Sequence, residues 1–191
     1  MATAWKQQGF DGCWVFALGT NEAANVSAGS TIGYDERIDA MMNVADGDPV
    51  LWVNVRSLLN EGSPYDNSNM QAWDKALLAA CSRYPNMRIY DWAGEVKDKW
   101  FIDDGIHFTT QGYRARSQDI ANALLNAFPA GAAVDNPDNA DCLVSSTPGE
   151  APTIPEGEAP TTDSTSTTDS TSTTDSTSTE STTTESTSTT G

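Results

Sequence analysis

Basic residues are scarce in this chain, and they stop early. Its 191 residues hold 10 Lys and Arg against 27 Asp and Glu, a formal net charge of −17, and no base follows Arg116. A protein that grips nucleic acid needs Lys and Arg for the phosphates, so an acidic chain without a basic cluster argues against that class of partner. No apolar run approaches the roughly 20 residues needed to span a bilayer, so no membrane-spanning segment is expected. The start, Met1-Ala2-Thr3-Ala4-Trp5-Lys6-Gln7-Gln8-Gly9, lacks the apolar core of a signal peptide. Cysteine is limited to Cys13, Cys81 and Cys142, an odd number without metal-ligand spacing, and neither a metal nor a cofactor is expected. Cys13 opens an apolar run and Cys81 falls on the apolar face of a helix, which suits small core residues. Cys142, in the polar stretch Asn139-Ala140-Asp141-Cys142, is the one placed to pair, with Cys81 or with a cysteine outside this sequence.

What is present alternates. Trp14 to Leu18 reads as a buried strand. Tyr34 to Ala45 sets Ile38, Met41, Met42 and Ala45 on one helical stripe. After Pro49, Val50 to Val55 forms a second apolar strand. Asn67 or Ser68 caps a helix whose Met70, Trp73, Leu77, Cys81 and Tyr84 share a face. Met87 to Asp91 is a third strand. Thr109 or Thr110 opens a last helix that presents Tyr113, Ile120, Leu124 and Phe128. Near-continuous apolar strands between amphipathic helices predict an α/β fold with a parallel sheet covered on both faces. Trp14, Trp52 and Trp73 are expected in its core.

Past Phe128 the composition changes. Residues 1–129 form the expected domain, 130–160 a linker rich in proline and acid, and 161–191 a low-complexity tail. From Gly131 onward there are eleven acids and no base, which leaves sixteen acids and ten bases before it. The tail repeats Ser and Thr around Asp163, Asp169 and Asp175 with no apolar residue, so it cannot form a core and is expected to be disordered. Ser/Thr tracts after prolines are typical of exported, O-glycosylated stalks, or serve as plain solubilising tails.

The chain has a single histidine, in Asp104-Gly105-Ile106-His107-Phe108-Thr109. A carboxylate three residues ahead of an imidazole can turn back and hold one ring nitrogen, leaving the other to act as a base. Asp103 stands four residues away and suits solvent better. Far upstream, Val15-Phe16-Ala17-Leu18 leads into Gly19-Thr20-Asn21-Glu22. That places Asn21 at a strand end, where a side-chain N–H can bind a developing oxyanion. Ligands in parallel α/β sheets bind at the carboxyl ends of strands, the edge at which Asn21, Asp104 and His107 would gather.

These stretches resemble the SGNH/GDSL hydrolase family. Gly19, Thr20 and Asn21 match its Gly-x-Asn-Asp block, with Glu22 in place of the second acid. Asp104 and His107 match its Asp-x-x-His block, and Thr109-Thr110-Gln111-Gly112-Tyr113 matches the helix opening that follows. The resemblance covers about Cys13 to Phe128. It implies a three-layer α/β/α, flavodoxin-like fold and acyl transfer from an ester. In that reaction a serine attacks, His107 takes its proton, Asp104 holds the imidazole tautomer and Asn21 stabilises the oxyanion.

The family's Gly-Asp-Ser block is absent, and no nucleophile is expected within the chain: Ser27, Ser30, Ser57 and Ser63 have no nucleophile motif around them. Three strands are also few, and the resemblance places two further strand–helix units ahead of Trp14. The domain is therefore expected to be amino-terminally truncated. Trp100 is a candidate substrate contact, and Arg56 faces a substrate carboxylate or a neighbouring acid. Through Asp91-Trp92-Ala93 and Trp100 to His107, the chain resembles bacterial cell-envelope SGNH domains most. That implies a secreted or cell-surface setting and an ester or acylated glycan as substrate. The alternatives are the extracellular lobe of an O-acyltransferase and a non-catalytic, glycan-binding module that has lost its nucleophile.

Overall fold

The computed structural model describes residues 2–135 and 142–147. The Ser/Thr tail and most of the acidic linker lie outside the described residues. The elements run α1 (Ala2–Gln7), β1 (Trp14–Phe16), α2 (Thr20–Ser27), α3 (Tyr34–Ala45), β2 (Val50–Val53) and α4 (Asn67–Ala80). There follow β3 (Met87–Tyr90), a single turn α5 (Trp92–Glu95), a 3-10 turn (Asp98–Trp100), α6 (Thr110–Ala127) and β4 (Leu143–Val144).

The strands form one parallel sheet in the order β1-β2-β3-β4. Val50 lies level with Trp14 on one side and Met87 on the other. Both β2 and β3 are buried at all four positions, as expected of interior strands that carry apolar residues on both faces. Trp14, Phe16, Val50, Trp52, Met87 and Ile89 pack on one face with Ile38 and Met42 of α3 and Met70, Trp73 and Leu77 of α4. Leu51, Val53 and Tyr90 face the opposite way, against Ala123 and Ala127 of α6 and the Trp92–Trp100 pair. Helices therefore pack on both sides of β2 and β3, and the three core tryptophans are at most 5% exposed. No described helix is long and apolar enough to cross a membrane.

Several local features differ from what the sequence predicts; β2 ends at Val53 rather than Val55, and a helix, α2, follows β1. The first strand ends at Phe16, and its middle residue Val15 is 40% exposed. Strand β1 sits at the edge of the sheet, and its second face has no helix over it to justify a longer apolar run. The cap of α4 is Asp66 rather than Asn67 or Ser68, because the Asp66 carboxylate accepts the N–H groups of Ser68 (2.9 Å) and Asn69 (3.1 Å). Tyr113 is 48% exposed instead of facing the core. A fourth strand, β4, arises from the stretch read as linker. It pairs with β3 through Ile89 N–H, which donates to Cys142 O (2.7 Å), and Asp91 N–H, which donates to Val144 O (3.0 Å). A disulfide between Cys81, just past α4, and Cys142 also holds it there, with Cα atoms 6.3 Å apart. Cys13 is a free thiol whose pKa burial pushes up to about 11.

Candidate active site

The pairing of Asp104 with His107 is local and needs only a tight turn. Asp104 Oδ1 accepts the backbone N–H groups of Ile106 and His107, each at 2.8 Å. The other oxygen, Oδ2, lies 2.7 Å from His107 Nδ1. Gly105 makes the turn possible with φ +69°, a left-handed conformation that costs a glycine nothing. The carboxyl of Asp104 is held down to about 2, first by the backbone N–H of His107, then by that of Ile106, then by the imidazole. A carboxylate so fixed leaves the tautomer with its proton on Nδ1 and the Nε2 lone pair outward. The His107 side chain is 65% exposed, and among the described residues no serine hydroxyl bonds to it.

Three contacts hold the turn. Phe101 and Phe108 bridge across its base. Thr109 N–H donates to Trp100 O (2.7 Å), and the Thr109 hydroxyl oxygen caps α6 by accepting Gly112 N–H at 3.0 Å. Gly112 lets α6 approach: a Cβ there would lie 2.7 Å from Trp100 O and 3.0 Å from Phe108 Cβ. Trp100, the candidate substrate contact, is only 9% exposed and stacks on Trp92 with centroids 5.8 Å apart and planes 7° apart. Little of its surface is left for a ligand. Arg56 meets a neighbouring acid, bridging Asp98 at 2.7 Å while it donates to Val96 O at 3.1 Å.

Asn21 lies in the first turn of α2, after the carboxyl end of β1. Its exposed amide accepts the Tyr65 hydroxyl through Oδ1 at 3.3 Å, and its Nδ2 donors have no partner among the described residues. Gly19 before it cannot carry a side chain, because a Cβ would overlap Trp73 Nε1 and lie 2.9 Å from Val55 Cγ1. Among the described residues, no hydrogen bond joins the Asn21 side chain to the Asp104–His107 turn. One loop serves both, however. The segment between β2 and α4 reaches Asn21 through Tyr65, and it meets the turn where Leu58 N–H donates to Gly105 O at 2.8 Å. Within that loop, the buried Ser57 hydroxyl donates to Tyr65 O at 2.6 Å, so this serine is committed to structure.

The sequence reading missed a polar cluster at the same end of the sheet. Asn54, buried just past β2, donates to Asp91 Oδ1 (2.9 Å) and accepts Ala93 N–H (2.7 Å), tying the ends of β2 and β3 together. Asp74 of α4 accepts Val55 N–H at 2.9 Å. Its carboxyl is pushed up to about 7, mainly by burial and further by the Asp91 charge, against the pull of that N–H. An Asp on the polar flank of an amphipathic helix carries no sequence signal of this kind. Asn54 does, since an amide that ends an unbroken apolar run is buried and must be bonded.

An α/β protein with a carboxylate–imidazole pair beside its parallel sheet is the class that fold and site define. Beyond it, no family model matches the chain, and no curated protein or solved structure matches it either.

Proposed function

We propose that this chain carries the acid–base part of an SGNH-type serine ester hydrolase, on a three-layer α/β/α, flavodoxin-like domain. The observation that carries the reading is the 2.7 Å contact of His107 Nδ1 with an Asp104 carboxylate that two backbone N–H groups also hold. An imidazole oriented in this way has its second nitrogen open to solvent and to a substrate-bound hydroxyl. A binding module has no use for that arrangement.

In the reaction, His107 Nε2 accepts the proton of a serine hydroxyl as its oxygen attacks the ester carbonyl. The resulting imidazolium is stabilised by Asp104. Asn21 Nδ2 donates to the oxyanion, and His107 returns the proton to the departing alcohol. In the family this chain resembles, that serine belongs to a Gly-Asp-Ser block, which does not occur within residues 1–191. The Cys81–Cys142 disulfide supports an oxidising, extracytoplasmic setting, and with it an acylated envelope glycan or small ester as substrate.

The test is ester hydrolysis by the protein carrying that serine segment ahead of Trp14. His107→Ala should lower kcat by about three orders of magnitude or more with the fold intact. Asn21→Ala should cost roughly 10²–10³. Wild-type turnover by the His107 variant would overturn the reading.

A further inference from the structure

The short strand β4 is held by two separate fastenings. At its start, Cys142 is 8% exposed and bonded to Cys81, which is 2% exposed. Past its end, the Glu95 carboxylate accepts Ser146 N–H at 2.9 Å, the Ser146 hydroxyl, and the Tyr90 hydroxyl at 3.0 Å. The Asn126 amide adds bonds to Ser145 O (2.8 Å) and Thr147 O (2.7 Å). Between these fastenings only Leu143 and Val144 pair with β3, and Leu143 is itself 47% exposed. The two ladder residues and the side-chain hydrogen bonds of Glu95 and Asn126, which exchange for bonds to water, are together too weak to hold a two-residue strand against its chain entropy. The covalent link supplies what the ladder lacks.

We infer that β4 is a redox-released strap: reduction of Cys81–Cys142 by a dithiol detaches it from β3 while the rest of the sheet stays folded. The thiolate of the dithiol attacks Cys142 Sγ, the more exposed of the two. The Cys81–Cys142 bond breaks, and Cys81 leaves as a thiolate that takes up a proton. The second thiol of the reductant then displaces Cys142 from the mixed disulfide. Two electrons pass to the protein, giving two thiols, and the reductant becomes its own disulfide.

Detachment uncovers the edge of β3. The N–H groups of Ile89 and Asp91 lose their acceptors on β4, and Tyr90 and Glu95 lose Ser146. The neighbouring strand is unaffected by the same event, because β2 pairs with β1 and β3 through its own ladders. Glu95 closes α5, which leads in sequence into the 3-10 turn Asp98–Trp100, and Trp100 O accepts Thr109 N–H just past His107, so the strap is linked to the candidate site only through these elements.

The experiment is amide hydrogen exchange on the 191-residue chain, oxidised and after treatment with dithiothreitol, with the free thiols counted by mass. Reduction should add two thiols and speed exchange of the Ile89 and Asp91 amides by about tenfold or more, leaving the β2 amides of Leu51 and Trp52 unchanged. A Cys81→Ser/Cys142→Ser variant should reproduce the reduced pattern without reductant. Unchanged Ile89 and Asp91 exchange at full reduction would overturn the inference. So would loss of protection throughout β2, which would make the bond a condition of folding, or three free thiols before any reductant is added.

Discussion

Replacing Gly19 by alanine tests how Asn21 is positioned. The Cβ would have to displace Trp73, which is fully buried between α4 and the sheet, as well as Val55. Neither can swing into solvent. Overpacking of a dense core costs about 1–3 kcal/mol, and a non-glycine residue at a positive φ about 1–3 more. Loss of unfolded-state freedom gives back roughly 0.4–1 kcal/mol. The net expectation is a destabilisation of about 1–5 kcal/mol, centred near 3, read as a lower urea midpoint at unchanged slope. Gly29 is the control, with φ +93° and nothing within 4 Å of a built Cβ; Gly29→Ala should incur the backbone cost alone. Trp73→Phe should relieve the clash, so that in a double-mutant cycle Gly19→Ala costs at least about 1 kcal/mol less in that background. The Trp73 Nε1 has no partner to lose, which keeps the cycle clean. If Gly19→Ala costs no more than Gly29→Ala, the close approach of Trp73 is not what requires glycine there.

Two further predictions concern charge. Asp74 is raised to about 7, so between about pH 4 and 7 the folded protein keeps a proton that the unfolded chain has lost. Stability should then fall as pH rises through that window. Asp74→Asn retains an acceptor for Val55 N–H and should raise Tm at pH 8 by clearly more than at pH 5; an unchanged pH slope would contradict the shift. Asp104 is depressed to about 2, so the hold of its carboxylate on the turn is full above its ordinary value and is lost as pH falls through 2. The carboxyl carbon of Asp104, followed by NMR, should titrate near 2; a midpoint at the ordinary value of about 3.9 would mean the turn is not held in this way.

What could be read in advance was whatever a few neighbouring residues decide. Val50 to Val53 are apolar because the strand is buried on both faces; Met87 to Tyr90 keep that pattern except at Arg88, which is buried with its guanidinium bonded to the backbone oxygens of Pro85, Met87 and Val134. The Asp104–His107 contact is three residues long, and the carboxylate can reach the ring by one turn. The Cys81–Cys142 pairing was one of two readings left open, and the fold decides it by bringing β4 alongside β3. Leu143–Val144 itself was illegible: two apolar residues in an acidic stretch resemble linker, and their partners lie more than fifty residues away. The helix after Asn21 was also hidden, because Thr20 to Ser27 buries only Ala23 and Ala24. The loop that serves both Asn21 and His107 depends on the Tyr65–Asn21 and Leu58–Gly105 contacts, each more than forty residues apart in sequence, and no local pattern records them.

We propose His107 as the base for a nucleophilic serine, and labelling with a fluorophosphonate bears on that proposal without any assumption about the ester. Residues 1–191 and the same chain carrying an added Gly-Asp-Ser segment at its amino end would be treated side by side, with the modified residue mapped by mass. The account predicts no serine label on residues 1–191. It predicts stoichiometric label on the serine of the added segment, and loss of that label in His107→Ala with the fold retained. Stoichiometric label on a serine within residues 1–191, or label on the extended protein that survives His107→Ala, would contradict it.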